Sequence, residues 1–143
     1  MAYSTTADLL ERISEASLVQ LTDAANTGAV NQTVAQNAVN AADGIIDALI
    51  SPVYRVPLAD VPRAVRDASA TIAIYRLHLY RSVDPGVWKE AFAASMAFLG
   101  AVAEKKATLE GTLPEPPVSA DLSGALSYTA EPRAFSRTLL DGF

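Results

Sequence analysis

The sequence predicts an all-α protein, a small bundle of about four helices followed by an extended C-terminal segment. Three observations lead to that class. Of the 143 residues, 27 are alanine against four Phe, one Trp and five Tyr, a mixture that favours closely packed helices over a sheet of bulky β-branched side chains. Apolar residues recur three and four positions apart over most of the first 107 residues, the period of a helix with one buried face. Beyond Thr108 that period is lost, and Gly111, Pro114, Pro116, Pro117, Gly124 and Pro132 break up the chain. The expected division is therefore a helical domain over 1–107 and an extended, mostly irregular docking segment over 108–143.

In chain order, Thr5 or Thr6 is a candidate cap for a short amphipathic helix over 8–15 carrying Leu9, Leu10 and Ile13. A further turn over 16–21 carries Leu18, Val19 and Leu21, and the turn formers of 22–28 end it. Residues 33–50 place Val34, Ala38, Ala42, Ile45 and Leu49 on one helical face. Ser51-Pro52 stops that helix, and Pro57 is expected to keep 54–58 extended as a rigid connector. Asp60 reads as the cap of the next helix, with Pro62 in its first turn and Val65, Ala68, Ile72, Tyr75 and Leu79 as its buried face. Asp84-Pro85 repeats the start signal, and Trp88, Phe92, Ser95, Leu99 and Val102 follow at helical spacing up to Lys105-Lys106.

Composition narrows the function. With 11 basic and 16 acidic residues the formal charge is -5, which opposes long-range attraction to nucleic acid or an anionic membrane. There is no cysteine and one histidine, so thiolate chemistry is excluded and zinc, haem and Ser/His solutions lose most of their parts. No signal-peptide pattern opens the chain, and the longest uncharged run, 91–103, is too short to span a membrane. The expectation is a soluble intracellular protein without enzymatic activity, metal or cofactor.

Four constellations invite a chemical reading. Asp23 to Val30 is similar to a calcium-binding loop, with glycine at the sixth position. But Ala25 takes the third position and Val34 the twelfth, where ligands belong, so a turn between helices is the better reading. Asp43 and Asp47 lie one helical turn apart, yet nothing completes a catalytic dyad, and a polar contact or salt bridge to Arg76 or Arg55 is expected instead. His78 alone assembles neither a metal site nor a triad. Arg63, Arg66, Arg76 and Arg81 are spaced so as to scatter around their helix, which suits a solvated or subunit-facing surface better than a nucleic-acid stripe.

The terminal stretch carries the most weight. It ends Arg133-Ala134-Phe135-Ser136-Arg137-Thr138-Leu139-Leu140-Asp141-Gly142-Phe143, apolar groups that a solvated linker does not need. Pattern alone leaves open whether they pack on their own domain or on a neighbouring subunit or partner.

Three motifs in order, Ala42-Asp43-Gly44-Ile45-Ile46-Asp47, Tyr54-Arg55-Val56-Pro57-Leu58 and Ile72-Ala73-Ile74-Tyr75-Arg76-Leu77, together with the calcium-like loop and the closing Arg133 to Leu139, resemble the Mu-like phage head-tail connector (adaptor, or head completion) family. The resemblance covers nearly the whole chain. It departs in the loop, which is richer in Asp in relatives, and at Ser51-Pro52, where relatives often carry small residues and glycine.

The resemblance implies a structural virion protein of a bacteriophage or prophage, made in the host cytoplasm and placed at the neck. It would form a homo-oligomeric ring, twelve-fold by the family, between the portal protein and a tail-side stopper or tail terminator. DNA would pass through the lumen without specific binding, and an acidic wall suits that role. Arg133, Phe135, Arg137, Leu139, Leu140 and Phe143 are the expected partner-binding residues, mobile in the free chain and ordered on docking. The competing reading is a small ligand-binding protein or enzyme whose pocket is lined by Tyr75, Tyr80, Trp88 and Phe92. A third, a DNA-binding capsid-closure protein, requires salt-sensitive binding to duplex DNA.

Overall fold

The structure is a computed structural model that describes residues 2–111 and 114. Five helices follow one another, α1 (Thr6–Leu10), α2 (Glu15–Thr22), α3 (Gln32–Ile50), α4 (Arg63–Tyr80) and α5 (Val87–Ala103), with no strand among the described residues. The all-α expectation holds. The extra helix comes from the first segment, which breaks in two: Ser14 accepts a hydrogen bond from the Ser17 backbone N–H and starts a new helix, offering the chain a fresh cap instead of continuation.

Local chemistry explains most boundaries. Thr5 and Asp8 form a reciprocal capping box on α1, satisfying two amides that a helix start leaves without partners. Asn31 accepts from the Val34 N–H and opens α3 one residue ahead of the expected start. Helix α4 begins at Arg63 after Pro62, later than the Asp60 cap would place it, and has no side-chain cap. Helix α5 begins after Gly86, whose φ of 52° and ψ of -123° lie where a Cβ is strained. Asp84 still serves this turn by accepting from the Gly86 N–H at 3.2 Å.

Helix α4 is the axis of the domain. Its largest interfaces are with α3 and α5, and α1 and α2 also pack on it. Ala68, Ser69, Ala70, Thr71, Ile72, Ala73 and Ile74 are all buried, so the middle of α4 is enclosed all round, which explains its small residues: short side chains let several helices approach one backbone. A one-sided buried face is therefore not what forms. Tyr75 is only partly covered and Leu79 is 54% exposed. In α3 the buried set is Ala35, Ala38, Val39, Ala42, Asp43, Ile46 and Ile50. The face is rotated by about one residue from the expected stripe, and Val34, Ile45 and Leu49 border the core.

The 51–62 connector is bent onto the core rather than extended. The Val53 and Tyr54 N–H groups both donate to the Ile50 carbonyl, and Val53, Tyr54 and Leu58 are buried; the Val56–Pro57 peptide is cis. Beyond α5 the chain returns to this region, where Leu109 is buried and its N–H donates to the Tyr54 hydroxyl at 3.1 Å. The expected extended segment lies otherwise outside the described residues.

Candidate functional site

The expected partner-binding residues Arg133, Phe135, Arg137, Leu139, Leu140 and Phe143 lie outside the described residues. Within them, the functional candidates of the sequence occupy four places.

The first is a buried polar clasp that joins the start of the chain to α3. Asp43 is 6% exposed. Its Oδ2 accepts from the Tyr3 N–H at 3.0 Å, and its Oδ1 accepts from the Ser69 hydroxyl of α4 at 2.7 Å. Since Ser69 gives its proton to Asp43, the Ser4 hydroxyl donates to Ser69, at 2.7 Å. The Tyr3 hydroxyl donates to Asp47 Oδ1 and accepts from the Leu58 N–H at 3.0 Å. One tyrosine thus ties α3 and the connector together. Burial pushes the Asp43 carboxyl above its ordinary value, against the lowering effect of the Ser69 and Tyr3 hydrogen bonds. Burial, then donation to Asp47, pushes the Tyr3 phenol up as well.

This arrangement corrects the expected ion pair: neither Arg76 nor Arg55 bonds Asp43 or Asp47, and the donors are a tyrosine, a serine and a backbone amide. Tyr3 and Ser69 were not legible as partners, because the bonds link residues 26 to 44 positions apart and neither residue stands in a motif. With every group of the clasp engaged by another and Tyr3 only 2% exposed, its chemistry is that of a structural tie.

The second place is the calcium-like loop. Asp23 Oδ2 accepts from the Gly28 N–H at 2.7 Å, and backbone hydrogen bonds from Thr27 and Gly28 hold the carboxyl below its ordinary value. Its charge serves the amides of its own turn. Among the described residues no three His, Cys, Asp or Glu side chains gather as a metal site requires.

The arginines make up the third. Arg63 and Arg66 border a mixed-charge hollow of about 380 Å³ at the start of α4, shared with Arg12, Asp67, Asp8 and Glu11. There Arg12 pairs with Asp67 at 2.6 Å. Arg76 and Arg81 lie toward the other end, where Arg81 Nε donates to the Gln20 carbonyl at 3.2 Å. Acids interleave with the first pair and ten positions separate Arg66 from Arg76, so these four arginines form no continuous basic stripe.

The fourth concerns the aromatic residues. Tyr75 and Phe92 stack face to face, with centroids 4.3 Å apart and planes 15° apart, filling the α4–α5 seam with each other. Tyr80 is 60% exposed and borders a different hollow, a groove of about 240 Å³ between α3 and α4 lined by Val34, Asn37, Ala38, Ala41, Arg76 and Leu77. Of the four aromatics named by the pocket reading, Tyr80 alone lines that groove. Leu79, Tyr80, Val83 and Val87 instead expose an apolar corner where α4 turns into α5, Val87 to 77%. His78 Nδ1 lies 2.9 Å from the Ile74 carbonyl, bonding back along its own helix.

In comparisons with known proteins, the model of the family described as Bacteriophage Mu, Gp36 matches residues 3–125 of the chain. No curated protein matches it. No helix among the described residues is long and apolar enough to cross a membrane.

Proposed function

The chain belongs to the Bacteriophage Mu, Gp36 family, and from that premise we propose that it is a structural head-tail adaptor, not an enzyme. Identical subunits form a ring below the portal, at the neck of the virion, and join the capsid to the tail or its stopper around a channel for DNA. The family match, which spans the clasp, all five helices and part of the segment beyond them, is the observation that carries this reading.

The physical argument concerns division of labour. A body enclosed around α4 keeps its shape without help from the terminus, as a ring subunit must. The apolar terminal stretch then supplies the contact. Phe135, Leu139, Leu140 and Phe143 are buried on the portal or a neighbouring subunit, and Arg133 and Arg137 fix register by pairing with carboxylates. Closed symmetry repeats this contact around the ring, so modest individual affinities add to a stable joint. The net charge of -5 keeps the lumen from holding the DNA that passes through it.

Deleting 132–143 tests the reading. The truncated protein is expected to keep the helical circular dichroism of the full chain and to be missing from purified heads. Normal incorporation of the truncated protein would overturn the docking role, and a neck reconstruction lacking a ring of this chain would overturn the placement.

A further inference from the structure

We infer that, before assembly, the terminal stretch of each chain is docked on its own α4–α5 corner, which it covers until portal or neighbour displaces it. The inference rests on the proposed docking role of that stretch and replaces the expected mobility of the free terminus with a resting place on its own domain. The corner is an apolar surface built by the fold and left uncovered by the described residues: Leu79 and Tyr80 end α4, Val83 sits in the turn, and Val87 opens α5, with exposures of 54%, 60%, 37% and 77%. Through Tyr80 it runs into the α3–α4 groove, where Arg76 is exposed and has no ion pair among the described residues. The stretch offers matching chemistry, since Leu139, Leu140 and Phe143 supply apolar side chains and Asp141 between them supplies a charge opposite to that of Arg76.

Chain length selects the chain's own terminus as occupant. Thr108, Leu109 and Glu110 lie beside Pro62 and Arg63 at the start of α4, whereas the corner lies at its end. At 1.5 Å per residue the two are about 25 Å apart along the helix. The residues between Gly111 and Phe135 make a tether whose root-mean-square reach, treated as a flexible chain, is on the order of 25–30 Å. Effective concentration is greatest when reach matches span, and for such a tether it is on the order of millimolar. A second copy at micromolar concentration competes poorly with it. In the ring, the local concentration of portal and neighbours rises to the same order and the terminus exchanges partners, which couples uncovering of the corner to arrival at the portal.

Hydrogen exchange on the isolated full-length chain, followed over a wide dilution series, tests this. Amides of 135–143 are expected to exchange about tenfold or more slowly than in the free peptide, a gap of about 1.4 kcal/mol, with no dependence on protein concentration. The double variant Leu79→Ser, Val83→Ser should return them to the free-peptide rate while the amides of α3 and α4 keep their protection. Deleting 132–143 should raise binding of an apolar dye, and that rise should be absent when the two serines are also present. Free-peptide rates in the unaltered chain would overturn the inference, as would protection that grows with concentration, which means a second copy, or protection that survives the serines, which means another site. Head incorporation is read separately: an unprotected terminus whose deletion still blocks incorporation sinks this inference alone, and a protected terminus whose deletion is harmless sinks the docking role.

Discussion

The middle and the last turn of α4 both carry apolar residues and meet opposite fates. From Ala68 to Ile74 every side chain is buried, whereas Leu79 and Tyr80 one turn further on are more than half exposed. The difference lies in what arrives from elsewhere in the chain. Helices α1, α2, α3 and α5 all pack on α4, yet at its last turn Leu79 and Tyr80 are left mostly uncovered. Apolar character thus serves stability in the middle and remains available for contact at the last turn, so substitutions should divide sharply between the two.

The largest effect is expected in the enclosed half. Ile72 is fully buried, and Ile72→Ala removes side-chain volume from a place where surrounding helices cannot close in. The expected cost is about 3 kcal/mol, read as a lower urea midpoint with an unchanged slope. A loss below about 1 kcal/mol would mean that this part of α4 is loosely packed.

Next comes the clasp, which joins that half to the start of the chain. Tyr3→Phe keeps the ring but removes the hydroxyl that accepts from the buried Leu58 N–H and donates to Asp47. Leaving such groups without a partner costs about 1–3 kcal/mol. Faster exchange of the Leu58 amide would show that the loss falls on this tie.

How much of this division the sequence discloses depends on the range of the interactions concerned. Short-range signals place α3 and α4 well: the apolar period from Thr33 and the Ser51-Pro52 stop bracket one to within a residue, and the period of the other runs out at Arg81 as observed, although the Asp60 cap sets its start two residues early. The broken calcium-like loop reads correctly as a turn for the same reason, since Asp23 is satisfied within five residues. Burial around a central helix is not legible, because periodicity presumes one wet face and α4 has none in its middle. The same limit explains the one-residue rotation of the α3 stripe, where Ala35, Val39 and Ile46 face partners supplied by distant segments. Tyr3 is the extreme case. Its role is fixed by Asp43, Asp47 and Leu58, at separations of 40, 44 and 55 residues, and only tertiary structure brings them together.

Acidity sharpens the comparison at the clasp. Because burial raises the folded-state pKa of Asp43 above its unfolded value, the folded form binds the proton more readily. Its contribution is therefore fully present below the unfolded pKa and is lost as pH rises through the folded one. Asp43→Asn cannot titrate. Its stability relative to the unaltered protein should be most favourable near neutrality and decline as pH falls through the carboxylate range, by less than the Tyr3→Phe effect. Urea midpoints of the pair at several pH values measure this. A gap that moves the other way would mean that the Ser69 and Tyr3 hydrogen bonds outweigh burial.

The smallest effect belongs to the exposed corner, and its smallness is the informative result. Val87 is 77% exposed in the first turn of α5, so Val87→Ser gives up little buried area, and serine is tolerated near a helix start. In a chain lacking 132–143 the expected change in stability is within about 0.5 kcal/mol. In the full chain the same substitution should cost more, because apolar contact with the docked terminus is then lost too. The difference between the two backgrounds is a double-mutant cycle, and a coupling near zero would leave the corner with no tie to the terminus.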